Sequence, residues 1–216
     1  MGEVEADAVC VDVGARLLNV RAEHFTKGGL QKVTAGMVTG NRRATRFVNR
    51  SGDGVTDADK AAFFFAMGLF CEYAGKFDEM AALYNQANDL HHRFYLPYLK
   101  AGKYALDTRD YGTAEKNYRA AIPCFGIAPT DKEKQLLASA HTNLASCLIM
   151  MHRPQEADSA LEAARKLMPL FPGRSAPEAI LHALRGETAP MMSALDALKT
   201  MAPFAYDAIK KSCDRI

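Results

Sequence analysis

The strongest pattern in the sequence is a pair of consecutive stretches, AAFFFAMGLFCEYAGKFDEMAALYNQANDLHHRF at residues 61–94 and YLPYLKAGKYALDTRDYGTAEKNYRAAIPCFGIA at residues 95–128, which align without a gap. Similar residues recur 34 positions apart along the alignment. The matched pairs are Phe64 with Tyr98, Gly68 with Gly102, Phe77 with Tyr111, Tyr84 with Tyr118, and Ala87 with Ala121. This period predicts a repeat in which each copy is one pair of helices.

A third copy, at residues 138–171, follows an insertion of nine residues, so its offset from the second copy is 43. Glycine, proline and short polar residues within 124–135 predict that the insertion is a loop. The third copy matches the second at four main positions, and a proline closes it. The matches are His141 with Tyr98, Ala145 with Gly102, Leu161 with Tyr118, and Ala164 with Ala121, and the closing residue is Pro169.

The repeated pattern resembles the tetratricopeptide repeat (TPR) family, in which small residues let the two helices of a pair approach and large apolar residues fill the space between pairs. The sequence departs from that family at Met80, His141 and Pro154. The resemblance implies an all-α fold, a right-handed superhelical stack of helix pairs with three recognisable repeats. Residues 175–214 are predicted to form a degenerate fourth pair and a closing helix.

The chain is predicted to divide into a helical domain at residues 57–216 and an N-terminal arm at residues 1–56. Val9, Val11 and Val13 alternate as in a short strand, whereas residues 27–54 are poor in apolar side chains. We therefore expect the arm to be flexible or ordered by a partner.

The composition is that of a globular protein, with 49% hydrophobic and 24% charged residues. A net charge of +2 does not favour nucleic acid as a partner. The longest apolar run, residues 61–71, is shorter than the roughly 20 residues of a membrane span, so no membrane association is expected. No secretory signal precedes it, and the five cysteines lack a C-x-x-C spacing. These features favour a cytoplasmic protein.

Sequence patterns of known catalytic sites are absent. The chain has no glycine-rich phosphate loop, no G-x-S-x-G and no H-E-x-x-H. His91 and His92 are adjacent, and neighbouring side chains on a helix point about 100° apart, which is unsuited to holding one metal ion. We therefore expect no catalytic residue, no metal site and no cofactor, so the protein is predicted not to be an enzyme.

The resemblance also implies a ligand-binding site, because the first helix of each TPR pair lines a concave groove. The groove is predicted to be largely apolar with a few charges. Its residues are Phe65, Leu69 and Glu72 in the first copy, Leu96, Leu99, Lys103 and Leu106 in the second, and Ser139, Thr142, Asn143, Ser146 and Met150 in the third.

Some TPR proteins bind acidic chaperone tails through a two-carboxylate clamp of basic and amide residues. The corresponding residues here do not match that clamp; they are Phe65, Leu69, Lys100, Ser139 and Asn143. An apolar groove suits a peptide with hydrophobic anchors, and it is similar to that of the three-repeat chaperones of bacterial secretion systems. We therefore expect a non-catalytic adaptor or chaperone that holds a protein or peptide segment, with a homodimer possible. The alternative is a structural scaffold subunit whose surfaces are permanently occupied.

Overall fold

The computed structural model describes residues 56–216, and every regular element in that range is helical. Nine α-helices follow one another within these residues, with two short 3-10 helices between them. They are α1 Asp57–Tyr73, α2 Phe77–Leu90, α3 Tyr95–Asp107, α4 Tyr111–Ala121, the 3-10 helix Ile122–Cys124, α5 Asp131–Met150, α6 Pro154–Leu167, the 3-10 helix Pro172–Arg174, α7 Ser175–Leu184, α8 Thr188–Met201 and α9 Pro203–Cys213. The predicted all-α fold of helix pairs is confirmed. Apart from Thr56, the N-terminal arm with its predicted strand lies outside the described residues.

The described residues divide into two compact units, one that ends at Tyr98 and one that spans Leu99–Ile216, and the boundary falls within α3. We call them the N-terminal and C-terminal units. In the N-terminal unit, α1 packs against α2. In the C-terminal unit, α5 packs on α4 and α6, α7 pairs with α8, and α9 packs on both α7 and α8.

The turn inside each helix pair has the same geometry in all four pairs. One residue adopts the left-handed conformation, and the next backbone N–H donates to the carbonyl five residues earlier, which satisfies a helix-end carbonyl. The left-handed residues are Gly75, Arg109, His152 and Gly186, with φ of 71°, 64°, 56° and 70°. Their spacings reproduce the sequence offsets of 34 and 43, and the fourth turn lies 34 residues after the third.

The fourth pair, α7 and α8, therefore keeps the register of the repeat. Counting from its turn, Ala179 occupies the small-residue position, Leu195 the large apolar position and Pro203 the closing proline position. Ala179 and Leu195 are both buried, as their counterparts are in the earlier pairs. The sequence signal was weak here because only these few positions keep the family's residue types.

Large and small residues are matched within the pairs. An added Cβ at Gly68 would lie 2.6 Å from Cδ1 of Tyr84, and one at Gly102 would lie 3.1 Å from Cε1 of Tyr118. The third and fourth pairs have alanine and leucine at the equivalent positions. A bulky tyrosine is thus paired with glycine and a smaller leucine with alanine, as close packing of the interior requires.

The insertion between the second and third copies is only partly a loop. Ile122–Cys124 is a 3-10 helix, and α5 already begins at Asp131, so part of the predicted loop is helical. The reason is a capping box: the Thr130 hydroxyl accepts from the Glu133 N–H, while the Glu133 carboxylate accepts from the Thr130 N–H at 2.9 Å. As a result α5 is 20 residues long, the longest helix within residues 56–216.

Candidate functional site

The predicted groove residues of the N-terminal unit differ in exposure. Leu69, Glu72 and Leu96 are half-buried. Phe65 is only 3% exposed, and its ring lies 5.5 Å from that of Tyr84 and 5.1 Å from that of Phe94, centroid to centroid. The expectation that Phe65 presents its side chain at an open surface is therefore wrong: aromatic rings from the same unit cover it.

Glu72 has a role that the sequence did not reveal. Its Oε2 accepts a hydrogen bond from the Tyr84 hydroxyl at 2.9 Å, so the carboxylate ties the first helix of the pair to the second. The hydroxyl needs such a partner because the Tyr84 residue is completely buried. The sequence signal was a glutamate twelve residues before a buried tyrosine, a spacing that has no general meaning outside this fold.

The equivalent tyrosine in the C-terminal unit lacks that partner. Leu106 takes the place of Glu72 in the second copy, and the buried Tyr118 hydroxyl makes no hydrogen bond within residues 56–216. Burial raises the pKa of Tyr118, although the side chain of Asn143 lies close enough to oppose the rise. The structure thus places a predicted groove residue, Asn143, beside an unsatisfied buried hydroxyl.

The predicted groove residues on α3 combine a charge pair with apolar contacts. Lys103 is exposed and donates to Asp107 at 2.7 Å, one helical turn away. Leu99 and Leu106 are half-buried and pack against the core of the C-terminal unit. Only part of each leucine is therefore available to a ligand.

The predicted groove residues on α5 are mostly polar. Ser139, Asn143 and Ser146 are half-buried, and Met150 is 50% exposed. Thr142 is 4% exposed and its hydroxyl donates to the Ala138 carbonyl at 2.8 Å, so the expectation that Thr142 contacts a ligand is not supported by its position. The Ser146 hydroxyl donates in the same way to the Thr142 carbonyl at 3.1 Å.

A network of four charged side chains joins α4 to the start of α6. Arg153 donates from Nη1 to both Glu115 oxygens at 2.9 and 2.8 Å, and from Nε and Nη2 to Glu156 at 2.7 Å each. Arg119 donates to the same two carboxylates at 2.8 Å each. Burial opposes ionisation of Glu115, but the hydrogen bonds and charges of the two arginines outweigh it and hold the pKa of Glu115 below its ordinary value. The sequence reasoning missed this network, although the spacings of Glu115 with Arg119 and of Arg153 with Glu156 suit ion pairs on one helix face.

Three cysteines of the described range, Cys71, Cys147 and Cys213, lack the lowered pKa of a nucleophilic thiol. Burial raises the pKa of Cys71 and Cys213 above the ordinary thiol value, and that of Cys147 to about 11. At neutral pH these residues are therefore thiols, whereas the thiolate is the reactive form. Within residues 56–216 no three His, Cys, Asp or Glu side chains are grouped to hold a metal ion. In the same range, every helix is too short or too polar to cross a lipid bilayer.

Comparison with known proteins supports the fold through structure rather than through sequence. No family model matches the sequence, and no curated protein matches it. Among solved structures, the chain is similar to PilF of Pseudomonas aeruginosa with a TM-score of 0.59 at 16% identity, over 94% of this chain and 79% of that one. It is also similar to MamA RS-1 in its ArsTM double mutant form, with a TM-score of 0.56 at 11% identity, over 80% of this chain and 92% of that one. These likenesses show a TPR-like fold.

Proposed function

We propose that this chain, which has a TPR-like fold, is a non-catalytic protein-interaction module that acts as an adaptor or chaperone. The ligand is a peptide segment of a protein partner, and it binds to the first-helix residues of the C-terminal unit. In the C-terminal unit this surface consists of Leu99, Lys103, Leu106, Ser139, Asn143, Ser146 and Met150, which we call the helix-A surface.

The observation that carries the proposal is the mixture of half-exposed groups on this surface. Met150 is half-exposed, and the exposed parts of Leu99 and Leu106 offer apolar contact to partner side chains. Asn143 and the serines carry hydrogen-bonding groups that suit the backbone of an extended peptide. Because Phe65 and Thr142 are buried, the ligand surface is narrower and more polar than the sequence predicted.

The charges on the helix-A surface favour a partner with little net charge at the contact. Lys103 is already paired with Asp107, and the other members of the surface are neutral. A strongly acidic ligand has to compete with Asp107 for Lys103, which reduces the gain from the new ion pair. The balanced net charge of the chain agrees with a protein partner rather than a nucleic acid.

The test is a pull-down from native extract followed by affinity measurements with the recovered partner. Met150→Ala and Asn143→Ala are expected to weaken binding by upward of about 1 kcal/mol each, while the melting temperature stays nearly unchanged. Lys116→Ala, on the exposed side of α4, is the control and is expected to leave the affinity unchanged.

The scaffold alternative predicts the opposite pattern. A subunit whose surfaces are permanently occupied aggregates or needs its partner when it is purified alone. Loss of solubility without the partner, together with unchanged affinity in Met150→Ala and Asn143→Ala, would replace the adaptor proposal with a scaffold.

A further inference from the structure

One apolar stripe on α1 lies on a different side of the helix from its contact with α2. It consists of Phe63, Met67 and Phe70, which are spaced as on one helix face, and we call it the α1 stripe. Gly68 lies beside the ring of Tyr84 and marks the side of α1 that faces α2. At 3.6 residues per turn, the stripe lies roughly 100–160° around the helix axis from Gly68. The contact with α2 therefore does not explain how the stripe is covered.

The α1 stripe is nevertheless buried. Phe63 and Met67 are each 1% exposed, and Phe70 is 6% exposed. Burial of a Phe or Met side chain contributes about 1.5–3 kcal/mol relative to leaving it in water. The stripe therefore needs an apolar part of the protein packed against it.

The repeat register indicates which part of the chain this is. In the third pair the equivalent positions are Ala140, Leu144 and Cys147 of α5, and all three belong to one core cluster with Tyr118 of α4. Burial raises the pKa of Tyr118, and the nearby Cys147 thiol adds to the rise. The stripe of the third pair thus lies against α4, the second helix of the preceding pair.

The fourth pair repeats this arrangement. Two of its equivalent positions, Glu178 and Leu181, lie on α7. Glu178 accepts from Arg165 of the preceding helix α6 at 2.8 Å, and Leu181 shares a core cluster with Leu161 of α6. In both later pairs, therefore, these positions face the helix that precedes the pair.

For α1 the preceding chain is the N-terminal arm. Within residues 1–55 the densest apolar stretch is AVCVDVGARLLNV at residues 8–20, whereas residues 27–54 are poor in apolar side chains. The 35 residues between this stretch and Thr56 span far more than α1, which is about 25 Å long. Residues 8–20 therefore have both the apolar side chains and the reach to cover the α1 stripe.

We propose that residues 8–20 dock on the α1 stripe and occupy the place that a preceding second helix has in the later pairs. Their apolar side chains bury the stripe, and Asp12, Arg16 and Asn19 supply polar groups for the outer face that the end of a repeat stack needs. The arm is favoured over a second copy of the chain because its covalent link gives it a high effective concentration at α1. This docking surface goes beyond the peptide-binding function proposed above and involves a different helix.

The test is hydrogen exchange of the full chain, followed by mass spectrometry. The test variant carries Val13→Asp with Leu17→Asp, which places two charges against the buried stripe. The matched control carries Val33→Asp with Leu30→Asp, the same residue types elsewhere in the arm. In the test variant we expect the amides of residues 61–71 to exchange at least about tenfold faster, because α1 opens more often when its cover is lost. The control is expected to exchange as the unaltered chain does, and α7, α8 and α9 to keep their protection in both variants.

A milder pair of variants applies if the aspartates prevent folding. Val13→Ala with Leu17→Ala is expected to speed exchange in α1 more than Val33→Ala with Leu30→Ala. The proposal is overturned if α1 exchanges equally fast in the test and control variants. It is also overturned if the protection of α1 in the unaltered chain rises with protein concentration, which would identify a second copy as the cover.

Discussion

At the scale of single residues, complementary volumes hold each helix pair together. Glycine faces tyrosine in the first two pairs. In the third and fourth pairs, alanine and leucine occupy these two positions. The Gly102–Tyr118 contact is the best site to test this, since the Tyr118 hydroxyl makes no hydrogen bond within the described residues that a substitution would remove.

Gly102→Ala and Tyr118→Leu are expected to compensate each other. The alanine Cβ meets the Tyr118 ring at 3.1 Å, so the single variant gains helix propensity of about 1 kcal/mol but loses roughly 1–3 kcal/mol to overpacking. In the double variant the smaller leucine removes the overpacking. The interaction free energy between the two substitutions is therefore expected to be roughly 1 kcal/mol. Denaturant unfolding of the four proteins measures it. The control is Gly112→Ala with Tyr118→Leu, which should be additive because Gly112 lies away from the ring.

The left-handed turn residues provide a second prediction at the same scale. Gly186→Ala is expected to cost about 1 kcal/mol, because an L-residue is disfavoured at its φ of 70° and no atom within 4 Å contributes a packing effect. Conversely, His152→Gly is expected to stabilise the protein modestly, since histidine already occupies such a conformation with φ of 56°. Thermal melting is the measurement. Gly126→Ala, which is equally open but has no positive φ, should change the melting temperature little.

At the scale of elements, ion pairs connect different helices of the C-terminal unit. The network of Glu115, Arg119, Arg153 and Glu156 joins α4 to α6, and Arg165 with Glu178 joins α6 to α7. The pKa values of Glu115 and Glu156 are lower in the folded protein than their ordinary values. Because their carboxylates are stabilised by folding, this contribution is present above the unfolded-state pKa, about 4.3, and is lost as the pH falls through the lower folded-state pKa.

Glu115→Gln is therefore expected to reduce the loss of stability on acidification. At neutral pH the variant should be less stable by roughly 1 kcal/mol, at the upper end for partly exposed ion pairs, because Arg119 and Arg153 each lose a partner. Below the folded-state pKa of Glu115 the two proteins should converge. Urea unfolding at a series of pH values measures this, with Asp196→Asn on the exposed side of α8 as the control. A constant difference at all pH values would show that the charges of the network are not responsible.

At the scale of the whole molecule, the balanced charge leads to a prediction about salt. The net charge is +2, and the lysine of the helix-A surface is internally paired. Affinity for the protein partner is expected to change by less than about threefold between roughly 50 and 200 mM salt, whereas a protein that makes several contacts to DNA phosphates loses about 10³–10⁵ in affinity over that range. Affinity titrations at several salt concentrations measure the slope. A steep negative slope would contradict the proposed neutral contact.

Much of the fold was predictable because the same pattern of small and large residues occurs in each copy of the repeat. The 34-residue period predicted the helix pairs, and the 43-residue offset placed the third pair after the insertion. The fourth pair was predicted as helical but not in register, since its signal rests on Ala179, Leu195 and Pro203. The sequence did not reveal the left-handed turns at Arg109 and His152, because such a turn is normally recognised by a glycine and neither position is a glycine.

The candidate site was predicted less well, and the reason is physical. Helical spacing states which side chains share a face, but exposure depends on what packs against that face. The aromatic rings of Tyr84 and Phe94 bury Phe65, and the tight packing of α5 buries Thr142. To decide whether these residues are exposed or buried, one needs to know which helices pack against them. A helical period does not contain that information.

The sequence alone determined the helical class and the pairing of neighbouring helices, because these depend on residues within about one repeat of each other. Only the tertiary structure decided the Glu72–Tyr84 hydrogen bond, the Arg153 network and the Arg165–Glu178 ion pair. Those features join side chains from different helices, with Glu115 and Arg153 separated by 38 residues. Their geometry follows from how the helices pack, which a period in the sequence does not specify.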